Sequence, residues 1–232
     1  MDILLCEGQN DVWFFHELMS QAQIIDGEIF QIKGQKFSEF QKNVLHDRCF
    51  RYISENYNKL IYGDTGKYQL YSQIFPEIVA DLLGRYKDLI NIFIILDEDG
   101  VSYPELKRNI KEVLEELSKN KSRFQVLPTY YEDNEYFFIQ SSRTESILKV
   151  KLLTIPTSLE MILVKFFVAS NNLKVKKYDL SSYSPHDVLK SLADDFFDGN
   201  MEKLIRGTVP YLMGTTSTES GWITEFLMNF EN

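Results

Sequence analysis

The five residues Ile92 to Leu96, IFIIL, can fill one buried strand, and the chain turns acidic directly behind them with Asp97, Glu98, Asp99 and then Gly100. No other stretch limits the fold as strongly. Side chains alternate faces along a strand, so continued extended geometry would point Asp97 and Asp99 the same way and Glu98 the opposite way. Two carboxylates that close repel one another unless a cation or a shared proton compensates. A single acid after a strand ordinarily just ends it and caps the next helix. A same-side pair behind so apolar a run points instead to a bound cation.

Periodicity extends this outward. The apolar run Ile3 to Cys6 ends in Glu7-Gly8, after which Val12, Phe15, Leu18 and Met19 fall at helical spacing, with Asn10 or Asp11 as N-cap. A second strand is expected over 29–34, a helix over 37–60, a break at 63–67 (GDTGK), and a further helix over 68–86 interrupted at Pro76. The central strand, 89–96, leads into a helix over 104–119 striped by Leu106, Ile110, Val113, Leu114 and Leu117, with Pro104 near its start. Residues 124–127 read as a strand, 130–140 and 147–155 as extended, and 158–170 as an apolar helix. A helix capped at Ser184 or Pro185 and shorter helical pieces complete the chain. Strands alternating with helices predict an α/β fold with a mainly parallel sheet flanked by helices and a helical C-terminal appendage. The expected division is an α/β domain over 1–156, with a helical insert at 36–87, and a helical region over 157–232 packed on it. Ligands of such sheets collect at the carboxyl ends of the strands, where both Glu7 and the Asp97/Asp99 pair fall.

Composition narrows the function classes. With 44% hydrophobic and 14% aromatic residues the chain is globular rather than disordered. A net charge of −9 excludes a global basic field, so nucleic acid would be held by a local patch or through metal ions. Lys174, Lys176 and Lys177, with Lys149, Lys151 and Lys165 upstream, make 149–177 locally basic, and the three late lysines are candidates for phosphate contacts. The two cysteines, Cys6 and Cys49, sit in apolar segments, which suits reduced thiols in a cytoplasmic protein, and no His or Cys spacing matches a zinc site. The N-terminal apolar run is too short for a signal peptide and no run approaches a membrane span, so no membrane partner is expected. A protein partner or homo-oligomer is left open.

Two stretches carry a family likeness. ILLCEGQNDVWFFHEL (3–18) resembles the first motif of Toprim domains, an apolar strand ending in Glu-Gly with an acid opening the next helix. IFIILDEDG (92–100) resembles their second motif, a strand ending in Asp-x-Asp. The segment between them is longer than in compact members. The likeness is nearest to the stand-alone or OLD-nuclease branch, where a later Leu-Glu pair at a helix start supplies another acid; LTIPTSLEMIL (153–163), with Glu160, is similar. The resemblance implies a Toprim-like sheet and phosphodiester chemistry on DNA or RNA with magnesium or manganese. Glu7 would act as acid/base or ligand, and Asp97 and Asp99 would hold the ion. Asp11 and Glu160 are further ligand candidates, and Gly8 and Gly100 form the turns. Some Toprim domains have lost activity and serve as binding or assembly modules. The acidic turn also resembles the first motif of haloacid-dehalogenase-type phosphatases, with Asp97 as nucleophile, Asp99 as acid/base and Asp194-Asp195 as late acids. That family sets its late acids after a strand, whereas 185–193 reads as helix, and Glu7-Gly8 would have no role.

Overall fold

The computed structural model describes residues 1–24, 59–63, 66–85, 89–119, 129–133, 135–141, 146–214 and 221–230. The strands expected at 29–34 and 124–127, the body of the helix expected over 37–60, and Cys49 lie outside the described residues. The chain forms two compact units. One holds the sheet and the helices between its strands; the other holds the first helix, Asp97–Asp99 and the chain from Ile155.

The sheet has six strands, β1 (Asp2–Cys6), β2 (Lys59–Gly63), β3 (Leu89–Asp97), β4 (Thr129–Glu132), β5 (Phe137–Gln140) and β6 (Ile147–Ile155), in the order β2-β1-β3-β6-β5-β4. β1 runs parallel to β2 and to β3, with Ile3 opposite Leu60 and Ile92. These three strands are buried almost throughout, which is why they read as unbroken apolar runs. β5 is antiparallel to β4 and to β6. The sheet is therefore mixed: its β2-β1-β3 side is parallel, as expected, and its β6-β5-β4 side is antiparallel. The connections explain the difference. Residues 133–136 and 141–146 are too short for a parallel crossover, which needs about a dozen residues or more.

β2 also departs from the expected helix over 37–60. Its five residues KLIYG are all buried in the sheet, and Lys59 is neutralised there by Asp2 on β1 at 3.1 Å. A run this short carries no decisive period, so its neighbours settle its conformation. On the core side of the sheet lie α2 and α3. α2 passes from Lys67–Gln69 through a π-helical turn, Leu70–Ile74, into Phe75–Arg85. The chain stays helical through Pro76 because the turn before it widens: the Phe75 N–H donates to the Leu70 carbonyl, five residues back. α3 (Tyr103–Lys119) buries Leu106, Ile110, Leu114 and Leu117, the stripe read from the sequence.

The helical unit contains α1 (Gln9–Gln21), α4 (Leu159–Ser170), α5 (Pro185–Phe196), α6 (Met201–Met213) and α7 (Gly221–Met228). Ser158, Ser184 and Asn200 cap α4, α5 and α6 by accepting from the amides of Met161, Asp187 and Lys203. α1 follows β1 directly in the chain yet packs with the C-terminal helices: Phe14 stacks on Trp222 at 5.8 Å, and Phe15 meets Phe226 at 4.7 Å. Among the described residues no helix is long and apolar enough to cross a membrane.

One polar tie in this unit titrates. Arg206 on α6 donates to His16 Nδ1 and to Glu17 on α1, and to Glu202 on its own helix. Burial first, and then the Arg206 charge, holds the His16 pKa below its ordinary 6.5, with Glu17 and Glu202 opposing. As pH falls through about 6.5 the unfolded chain takes up a proton that the folded one refuses, so stability present above that pH is lost below it. His16→Gln should flatten the pH dependence of the urea midpoint between about pH 7 and 5. An unchanged slope would assign that dependence to other groups.

Candidate metal centre

The parallel neighbours β1 and β3 end in register, Cys6 opposite Ile95. Glu7 is the next residue after Cys6, and Leu96 and Asp97 complete β3. This is the carboxyl edge at which α/β sheets hold ligands.

In the sheet unit Glu7 is mostly buried and faces the Lys67 ammonium at 3.7 Å. The Gly66 N–H donates to the Glu7 carbonyl at 2.7 Å, tying the start of α2 to the end of β1. Gly66 has φ +74°, a left-handed conformation that glycine adopts without strain. Gln9 Nε2 is buried without a hydrogen-bond partner. Lys67 is a site neighbour that sequence reasoning missed, because GDTGK was read only as a break. Recognising KLIYG as a strand would have put that loop at a strand's carboxyl end.

In the helical unit Asp97 is 8% exposed, and its Oδ1 accepts from the amide of Leu159, the first residue of α4, at 3.3 Å. The Glu98 N–H donates to the Ile155 carbonyl at 3.0 Å. The N-terminus of α4 thus presents a backbone donor and its dipole to the Asp97 carboxylate. Glu160, in the first turn of α4, accepts from Asn10 Nδ2 at 2.9 Å. Asp11 is buried in the first turn of α1, and Asp99 is exposed. Gly100 has φ +75°, so the turn behind Asp99 needs a glycine, whereas Gly8 turns the chain without a positive φ.

Among the described residues no three His, Cys, Asp or Glu side chains converge as a group that could hold a metal ion. Three of the acids face neighbours of their own: Glu7 faces Lys67, Asp97 the Leu159 amide and Glu160 Asn10. By chemistry the donor set fits a hard divalent cation, since every candidate offers carboxylate oxygen alone.

Of the late lysines, Lys177 is committed to an ion pair. Asp195 on α5 binds both its ammonium and the Tyr178 hydroxyl, which holds the Asp195 carboxyl below the usual range and raises Lys177. Lys174 and Lys176 are exposed and line, with Lys165, Val168 and Leu173, an open groove of about 600 Å³. Asp194 and Asp195 lie within helix α5, as the sequence indicated, whereas the phosphatase alternative calls for late acids behind a strand. The chain matches no family model, and neither a curated protein nor a solved structure matches it.

Proposed function

We propose that the chain is a Toprim-type phosphodiester hydrolase that acts on nucleic acid with a divalent metal. One observation carries this reading: β1 and β3 are parallel neighbours ending in register, one leading into Glu7 and the other closing on the buried Asp97. Asp97 and Asp99 would hold magnesium or manganese, with Asp11 and Glu160 as further ligands. The bound ion would offset phosphate charge and stabilise the oxyanion of an in-line displacement. Glu7 is the acid/base, accepting a proton from the attacking water, and Lys67 balances its charge. The partnerless Gln9 Nε2, two residues on, is a donor suited to a phosphate oxygen. A second reading, a catalytically silent Toprim module that binds nucleic acid, is favoured by the present pairing of Glu7, Asp97 and Glu160 with neighbouring groups.

The test is cleavage of single- and double-stranded DNA and RNA with magnesium or manganese, run beside a phosphomonoester assay. The expected result is weak metal-dependent cleavage that disappears in Glu7→Gln. Monoester turnover through a covalent intermediate on Asp97 would replace the proposal with the phosphatase reading. Silence in both assays, with salt-sensitive nucleic-acid binding, would leave the silent module.

A further inference from the structure

The face of the antiparallel half-sheet away from the core, where Tyr131 is exposed and Phe138 and Lys149 are half-buried, carries an arrangement that the metal site does not use. Register sorts the residues of β4, β5 and β6 into two faces. Tyr130, Phe137, Ile139, Leu148 and Val150 turn to the core, while Tyr131 opposite Phe138, and Phe138 opposite Lys149, form a row on the other side. Tyr131 and Phe138 stack at 4.8 Å with only 6° between their planes, and Tyr131 is 47% exposed. Beside this row Tyr136 lies under two lysines, Lys149 at 3.7 Å from its ring centre and Lys151 at 4.8 Å.

We infer that this face is a stacking platform for the unpaired bases of single-stranded nucleic acid, with Tyr131 as the outermost ring and Lys149 as the phosphate contact. The substrate class rests on the nucleic-acid reading above; the residues are separate from its acids. Base stacking needs rings with an open face beside cations that follow the backbone, and an open sheet face supplies both. Two cation–π contacts hold the Tyr136 ring and the two lysine side chains in place. The acids of the hairpin are engaged: Asp133 accepts the amides of Glu135 and Tyr136, Glu132 binds Tyr130 and Lys111, and Glu135 pairs with Lys151. Among the described residues no carboxylate pairs with Lys149, which is left to face an incoming phosphate in a chain of net charge −9. A duplex keeps its bases stacked on each other, so the platform selects single strands.

The test is fluorescence anisotropy of a short fluorescein-labelled oligodeoxythymidylate with the full chain in EDTA, so that the outcome does not depend on metal chemistry. Expected are tighter binding of the single strand than of a matching duplex, and weakening by roughly 5- to 150-fold in Tyr131→Ala, as for one lost base stack. Tyr131→Phe should retain affinity, and Lys149→Gln should lower both affinity and its salt dependence. Because Tyr131 is exposed, unchanged urea midpoints would separate these effects from misfolding. No binding, equal binding of duplex and single strand, or affinity indifferent to Tyr131→Ala would overturn the inference. So would a dimer in sedimentation velocity that Tyr131→Ala dissociates, which would assign the face to a second copy. Unchanged ion binding in Asp97→Asn, in a protein that still binds the oligonucleotide, would count against the metal site alone.

Discussion

Replacing Phe15 with alanine is expected to destabilise the helical unit by about 3–5 kcal/mol, the range for truncating a fully buried aromatic. Phe15 is completely buried on α1, and its ring meets Phe14 edge-on at 5.3 Å, Trp222 at 6.4 Å and Phe226 at 4.7 Å. Alanine would leave a void bounded by large rings whose backbones sit on different helices, so collapse could fill it only in part. The readout is built in. Both tryptophans, Trp13 and Trp222, belong to this unit, so intrinsic fluorescence follows its unfolding. With a urea slope of about 2 kcal/mol/M the midpoint should fall by roughly 2 M. A midpoint within experimental error of the wild type would mean that α1 is not part of this core.

Asp97→Asn is expected to weaken magnesium and manganese binding by about 10- to 100-fold or more, a range that loss of even an outer-shell partner can reach. Asp99→Asn should do the same, but the two should part in apo stability. Repulsion between neighbouring carboxylates would by itself make either neutralisation stabilising. Asp97, however, receives the Leu159 amide at the start of α4, so its charge is favoured by the helix terminus. Asparagine keeps an acceptor and loses that charge–dipole attraction, a cost of about 1 kcal/mol. Asp99 is exposed beside Gly100, and its neutralisation should stay within about 0.5 kcal/mol. Calorimetric titration of EDTA-stripped protein, with thermal melts of the same samples, measures both quantities. Equal ion affinity in wild type and both variants would remove the metal assignment, and a higher apo melting temperature for Asp97→Asn would remove the role given to α4.

Local chemistry wrote much of this molecule into its sequence. The central strand and the stripe of α3 are legible because burial on two faces or on one stripe leaves a period that needs no partner to be read. Ser158 and Ser184 mark helix starts because a cap bonds to an amide three residues away. The acids at the strand ends were equally plain as candidates. What the sequence left open was the choice of partners. KLIYG could join a helix or a sheet until Asp2 and the flanking apolar surfaces claimed it, and α1 carries an apolar face that any core could have taken before the C-terminal aromatics did. Likewise Lys67 meets Glu7, and the α4 amide meets Asp97, across long stretches of chain. Periods and caps are short-range and survive in one dimension; pairing between distant segments depends on which arrangement buries the most apolar surface without stranding a charge, and only the folded chain decides that.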